Sequence, residues 1–387
     1  MLFDLMIIGG GMVGATLAAV LKNTDIRVAM IDASLLSSAE DERLIALNDA
    51  SVTLFENSGI WSELSPYATP IKQVHVSKRG SFGITRIDAT IVELAALGYV
   101  IPAKYINAAL EAHLSNANNI TIIKPATLES LSQDENGVEL SVKTSGSLKH
   151  YKAKLVIGAD GSHSTVRSLL DIPTETTDYQ QSALVTTTTL TRDHHHIAYE
   201  RFLDEGAIAM LPLQNNKVAT IWTAVNDEIA SLMKLSDQAF LQNLQQHFGY
   251  RLGRLESVGK RAIYPLKMIK AEYQRKQHVY LIGNAAHTIH PIAAQGLNLA
   301  LHEVAVIAST LLEKNPSLMD NIGQQSFSQK LSHRLTWLFS SDIFMLNKVR
   351  QAGLVGLDLI TGLKKQFATK TIGRSGFMPS LLIRKDR

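Results

Sequence analysis

The 387-residue sequence contains no cysteine. Disulfides, thiolate metal sites and iron–sulfur clusters are therefore excluded. Basic residues are missing from the start: no Lys or Arg precedes Lys22, and Asp4 stands in their place. A secretory leader needs a basic first segment, so the uncharged stretch from Leu5 to Leu21 is not read as one. No uninterrupted apolar run reaches the roughly 18–20 residues of a membrane-spanning helix. The net charge is only +3, which gives no reason to expect a nucleic-acid partner. Internal repeats and low-complexity segments are lacking too. What remains is a cytoplasmic globular chain, soluble or peripheral, long enough for two domains with substantial cores.

The glycines are placed with purpose. Leu5 to Ile8 is an apolar run of one buried strand's length, and Gly9, Gly11 and Gly14 then fit G-x-G-x-x-G ahead of a helix from Ala15 to Leu21. Strand, tight turn and helix make the dinucleotide fingerprint in its required context. Gly9 permits the turn, Gly11 lets backbone approach a pyrophosphate, and Gly14 lets the helix pack on the strand. A second strand, Ile26 to Ile31, ends at Asp32, 18 residues after Gly14. A carboxylate there accepts hydrogen bonds from a ribose and disfavours a 2′-phosphate, so FAD or NAD is expected and NADP is not. The flavin disulfide reductases share this fingerprint, but the missing cysteines exclude them.

Arg43 follows two acids and reads either as a solvated ion pair or as a cation over the cofactor's phosphates or ribityl chain. Helices alternate with short strands as far as Ile157, including a helix from Ala103 to Leu114. The strand Leu155–Ala159 then runs into Asp160-Gly161, where Ser162 or Ser164 can cap the next helix and Arg167 lies in its first turn. Four Thr-, Val- and Ile-rich segments between Gln181 and Ala224 predict an antiparallel sheet. His194, His195 and His196 sit in one of its turns. Neighbouring strand residues alternate sides, so a metal site there is not expected. A helix is expected from Glu228 to Phe248.

A third corner follows the strand that ends at Gly283-Asn284. A loop through His287, His290 and Pro291 leads by Gln295, Gly296 and Leu297 to Asn298, where a long helix begins. Such a helix start presents free N–H groups and a positive dipole end, suited to the anionic edge of a reduced flavin. His287 and His290 read equally as ordinary loop histidines or as catalytic ones.

These three corners, in this order, resemble the single-component FAD aromatic hydroxylases of the para-hydroxybenzoate hydroxylase type. Within that group the chain is similar to the ubiquinone-biosynthesis hydroxylases. Further matching segments are Arg43–Leu47, Gly80–Arg86, Leu97–Val100, Tyr199–Phe202, Tyr264–Leu266 and, most specific, Gly283–Asn298. The resemblance implies an α/β fold: a Rossmann-like FAD-binding domain, an inserted antiparallel-sheet substrate domain and a C-terminal helical region. The expected division is 1–70, 98–180 and 262–335 for FAD, 71–97 and 181–261 for substrate, and 336–387 for the C-terminal region.

The resemblance also implies roles. Gly9, Gly11, Gly14 and Asp32 would hold the ADP half of FAD, with Arg43 at the phosphates or ribityl chain. Asp160 and Gly161 would bind FAD, and Gly283 and Asn284 would meet the ribityl chain. The loop Pro291, Gln295, Gly296, Leu297 and Asn298 would bind the flavin ring, and His287, His290 and Pro291 are the candidate catalytic residues. No metal is expected. The implied chemistry reduces FAD with NAD(P)H or an external reductase, then uses O2 through a flavin C4a-hydroperoxide to hydroxylate a polyprenylated phenol. Three positions depart from the group: Asn284 where Asp is frequent, Ala294 for a usual Gly, and His302-Glu303 where an Arg-Asp pair is common.

Ser341 to Arg387 carries nine basic and three acidic residues, together with an apolar stripe of Leu354, Leu357, Leu359, Ile360, Leu363 and Phe367. It reads either as a helix packed on the body or as an interfacial helix on the anionic inner membrane, which would suit a polyprenyl substrate. Other ubiquinone-biosynthesis proteins, and a second copy of the chain, are the macromolecular partners considered. Two other functions fit the same motifs: a flavin-dependent reductase or dehydrogenase, and a non-catalytic flavoprotein scaffold.

Overall fold

The structure is a computed structural model that describes residues 2–34, 41–81, 83–288, 296–322 and 361–384. Its centre is β1 (Leu2–Ile8), whose Leu5, Met6, Ile7 and Ile8 are all buried, as expected of a parallel strand covered on both faces. Parallel to β1 lie β2 (Val28–Ile31) on one side and β11 (Ser147–Gly158) on the other. β8 (Ile120–Ile123) and β19 (Val279–Leu281) extend the sheet outward, again in parallel. β9 (Ala126–Asp134), β10 (Gly137–Thr144) and β18 (Arg275–Lys276) add antiparallel edges.

Helix α1 (Met12–Val20) packs over β1, beside α4 (Ala103–Leu114) and α8 (Gly296–Glu313). Helix α8 is buried at every residue from Asn298 to Thr310. By length and composition it could cross a membrane, yet 72% of that stretch lies inside the fold, as a core helix would.

A small antiparallel sheet joins β3 (Leu44–Asn48), β7 (Gly98–Pro102) and β4 (Thr69–Ile71). Helix α2 (Asp49–Asn57) follows β3 directly, capped by the Asn48 side chain, which accepts from the Ser51 N–H.

The third sheet has nine strands: β5 (Gln73–Lys78), β6 (Ile84–Asp88), β12 (Thr174–Leu190), β13 (Ile197–Phe202), β14 (Ala207–Leu213), β15 (Lys217–Val225), β16 (Leu255–Val258), β17 (Ala262–Ala271) and β20 (His287–Thr288). All neighbours are antiparallel except β13 and β5. The expected junction at 180–181 falls inside β12, and the one at 261–262 falls at the start of β17. β12 and β17 pair without leaving the sheet from Thr174↔Ala271 to Val185↔Ala262, so their length, not a linker, joins the two halves.

The helix expected from Glu228 to Phe248 is two. They are α6 (Asn226–Lys234) and α7 (Asp237–Phe248), because Leu235 turns extended and Ser236 caps α7 by accepting from the Ala239 N–H. The outer face of the sheet packs on these helices through Tyr199, Trp222, Phe240, Leu244 and Phe248. Its inner face meets the small sheet through Ala198, Leu213 and Ala219 against Ile71 and Val100.

At the far end, α9 (Thr361–Thr371) and the segment to Arg384 lie on the body. Phe367, Ala368 and Ile372 pack on Ile87, Ala89 and Leu97. Arg374 and Arg384 both reach the buried Asp49, at 2.6 and 2.8 Å, and Arg384 also meets Glu56 at 3.1 Å. For these residues the packed reading holds. The rest of the apolar stripe, Leu354 to Ile360, lies outside the described residues.

Candidate functional site

The first corner is tight on one side and open on the other. At Gly9, with φ +107°, an added Cβ would lie 2.4 Å from the Ala159 carbonyl oxygen. At Gly14 it would lie 2.0 Å from the Gly9 oxygen. Gly11 is exposed, and a Cβ there would meet nothing within 4 Å. The turn is thus packed wherever chain meets chain and vacant where a phosphate would approach. Asp32 stands at the end of β2, where Oδ1 accepts from the Ser34 N–H at 3.0 Å. Its Oδ2 lies over Gly10, where a Cβ would come within 2.5 Å. Gly10 is therefore constrained by the Asp32 side chain, a point the fingerprint spacing does not convey.

The second corner abuts the first. Asp160 Oδ2 accepts from the Val166 N–H at 3.0 Å, while its buried Oδ1 has no hydrogen-bond partner among the described residues. A buried carboxylate oxygen without a donor is costly, so it marks the place of an absent donor such as a ribose or ribityl hydroxyl. Gly161, at φ +83°, again opens onto free space. Ser164, not Ser162, caps the short helix α5 (Thr165–Leu169) by accepting from the Arg167 N–H. Arg167 then fastens this corner to the third, donating to the Ser162 oxygen at 2.7 Å and the Ala285 oxygen at 2.9 Å.

At the third corner Gly283 has φ +57° and Asn284 is exposed. The Glu303 carboxylate holds this corner from inside α8. It accepts from the Gly283 N–H at 2.9 Å, from Gln274 Nε2 at 2.8 Å, and bonds His287 Nε2 at 2.7 Å. Burial disfavours the charged ring, but the Glu303 charge prevails and holds the His287 pKa above its ordinary value. The ring is 4% exposed and its Nε2 is held by Glu303, which favours the loop-histidine alternative for His287. His290, Pro291 and Gln295 lie outside the described residues.

Helix α8 begins at Gly296 and Leu297, both half-buried. The Asn298 side chain is a strut: it accepts from the Asn48 N–H and Ser51 Oγ and donates to the Ala46 oxygen at 2.8 Å. It thereby fixes the start of α8 against β3. His302, from another of the three departures, bonds the Phe377 oxygen at 2.9 Å and joins α8 to the C-terminal segment, while Ala294 lies outside the described residues. Arg43 forms an ion pair with Asp41 at 2.6 Å, its side chain 54% exposed. It also lies within electrostatic reach of Tyr264, on the inner face of the large sheet.

Facing the small sheet, whose β3 is braced by Asn298 to the start of α8, is the inner face of the large sheet. Strand register places Val76, Glu200, Ala209, Ile221, Val185, Ala183 and Tyr264 on it, a floor of small and apolar side chains with one carboxylate. Glu200 lies inside the matching segment Tyr199–Phe202, next to Arg201, and nothing in the spacing says which of the two faces inward. Strand alternation separates the two onto opposite faces.

Residues 3–315 match the family model described as an FAD binding domain. The chain is 30% identical to the ubiquinone hydroxylase UbiL of Rhodospirillum rubrum, over 96% of this chain and 89% of that protein. It is 29% identical to the 3-demethoxyubiquinol 3-hydroxylase of Escherichia coli, over 80% and 79%. Among solved structures it resembles p-nitrophenol 4-monooxygenase PnpA of Pseudomonas putida, with a TM-score of 0.78 at 14% identity over 96% of this chain and 98% of that one. It also resembles PqsL of Pseudomonas aeruginosa, with a TM-score of 0.73 at 19% identity over 92% and 100%. At such identities the structural likeness speaks for the fold alone.

Proposed function

We propose, from the premise that the chain belongs to the FAD-binding-domain family that its residues 3–315 match, that it hydroxylates the aromatic ring of a polyprenylated phenol in ubiquinone biosynthesis. The observation that carries this reading is the open cradle at Gly11, Gly161 and the Asp160 Oδ1 that has no partner among the described residues.

FAD, when bound, supplies hydride acceptance and the activation of O2. Everything else falls to the chain. Backbone N–H groups at the start of α1 take the pyrophosphate, as helix N-termini do. Asp32 accepts from the adenosine ribose, each charge-assisted bond contributing about 1.5–3 kcal/mol. Asp160 Oδ1 and Asn284 take the sugar-alcohol chain, with Arg43 beside them. The start of α8, braced by Asn298, lies at the flavin ring, and the inner face excludes water and orients the phenol.

The test supplies purified protein with FAD, NADPH or a reductase, a short-chain prenylated phenol, and ¹⁸O2. The expected result is one labelled oxygen on the product ring. A reduced flavin that yields only hydrogen peroxide, or an oxidised lipid without label, would transfer the site to the dehydrogenase reading.

The prenyl tail makes lipid the natural source of substrate, and peripheral attachment to the inner membrane is part of this proposal. Arg374 and Arg384 are turned inward, so the attachment rests on the remaining basic surface. The full chain is expected to float with anionic phospholipid vesicles and to be released by high salt, since exposed charge is screened. Protein that stays at the bottom of the gradient at low salt would remove the membrane from the account.

A further inference from the structure

Glu200 lies at the middle of β13, where alternation decides what its side chain faces. Tyr199 and Arg201 point outward. Tyr199 packs edge-on against Phe248 of α7, ring centroids 5.7 Å apart, and Arg201 donates to the His247 oxygen at 2.9 Å. Ala198 points inward, into the cluster with Ile71, Val100 and Ala219. Glu200 shares that inward face, between Val76 of β5 and Ala209 of β14.

Glu200 is half-buried, and its carboxylate makes no hydrogen bond and no ion pair among the described residues. The buried carboxylates are held: Asp49 by two arginines and Glu303 by three donors. An acid set among apolar side chains with no protein partner is a candidate for a functional role.

We propose that Glu200 takes the proton from the phenolic hydroxyl of the substrate. This rests on the hydroxylase reading and adds the residue that readies the ring. The phenol O–H bond breaks, a new O–H bond forms on the carboxylate, and the electron pair stays on the phenol oxygen. Nothing is oxidised or reduced in this step. The resulting phenolate pushes charge into the ring and makes it a better nucleophile toward electrophilic oxygen.

The surroundings suit the task. Burial among apolar side chains alone pushes the Glu200 carboxyl up to about 7. A base poised near the working pH is the most effective kind, and a phenol ionises near 10 in water. The titratable groups on the same inner face are Lys78, which meets Asp204 at 3.6 Å, and Tyr264 at the β17 end, within reach of Arg43. Thr85 of β6 completes that face. His75 and Arg86 lie on the outer side with Tyr199. None of these contributes to the upward shift.

The experiment compares the FAD-loaded wild type with Glu200→Gln and Glu200→Asp, using 2-allyl-6-methoxyphenol and a more acidic ring-fluorinated analogue assayed above its own solution pKa, where it is ionised. In the wild type, kcat/KM for the first phenol is expected to rise with pH and level off above about 7, as the carboxylate form fills. Glu200→Gln should lose that inflection and about 10²-fold in rate, the usual contribution of a general base. Glu200→Asp should recover part of the rate, and the ionised analogue should recover most of it in Glu200→Gln. Anaerobic binding of the first phenol should give a phenolate absorption change in the wild type but not in Glu200→Gln.

Unchanged flavin content in both variants keeps the comparison sound. An unchanged pH profile in Glu200→Gln, or an equal loss with both phenols, overturns the assignment while leaving the hydroxylase reading intact. A wild type that incorporates no labelled oxygen into either phenol overturns both.

Discussion

Replacing Glu303 with alanine is expected to lower the stability of the protein by about 3–5 kcal/mol, the cost of removing one partner from a buried ion pair. The carboxylate is 1% exposed, and its loss would strand the Gly283 N–H, the Gln274 amide and a charged His287 ring together. The denaturation midpoint measures the loss. The conservative Glu303→Gln variant should lose less, because an amide keeps an acceptor oxygen for the Gly283 N–H.

The pair also has a pH signature. The folded-state pKa of His287 is raised, so its share of the stability is complete below the ordinary value of 6.5 and is lost as pH rises through the raised value. The stability gap between wild type and Glu303→Ala should therefore narrow toward alkaline pH. A gap that is small throughout, or that widens with pH, would mean that the pair does not hold the corner.

The second large effect is expected at Gly11, and it should fall on the cofactor and leave the fold alone. A side chain at Gly11 meets no protein atom within 4 Å, so Gly11→Val should melt like the wild type without FAD. It would fill the space that a pyrophosphate enters and block the helix-start N–H groups. FAD affinity is expected to drop on the order of 100-fold, about 3 kcal/mol, as for one or two lost charge-assisted hydrogen bonds. Gly14→Val makes the control, because its Cβ would sit 2.0 Å from the Gly9 oxygen and the fold itself should suffer. Titration of each variant with FAD, followed by fluorescence, separates the two. Full FAD affinity in Gly11→Val would place the pyrophosphate elsewhere.

The corners could be read from the sequence because backbone geometry forces residue type there. A turn at φ +107° against a neighbouring carbonyl admits only glycine, so Gly9 announces itself, and Gly161 does so through its positive φ of +83° alone. Side-chain partnerships across the fold leave no such mark. Glu303 sits in an apolar helix 20 residues from Gly283, and nothing in the spacing says that its oxygen meets that N–H. His287 therefore read equally as a loop histidine or as a catalytic one, and its bond to Glu303 favours the first. Asn298, expected at the flavin ring, also braces α8 to β3, a bond set that its place in the sequence does not announce.

Charge counting overstates the free positive charge at the C-terminal end, because Arg374 and Arg384 pair with Asp49 and Glu56 from more than 300 residues away in sequence. The two-helix break at Leu235-Ser236 was legible in principle: Ser-Asp ahead of an apolar-periodic run is a start signal, and the long helical pattern on both sides obscured it. Glu200 shows the opposite limit. Its chemistry depends on which face of a strand it occupies, and only the register with β5 and β14 decides that.

A crystal structure of the FAD-loaded protein tests the central claim most directly. The account expects the pyrophosphate over Gly11, a cofactor hydroxyl donating to Asp160 Oδ1, and the flavin ring between the start of α8 and the sheet face that carries Glu200. An FAD bound away from these corners, with Asp160 Oδ1 still lacking a donor, would contradict it.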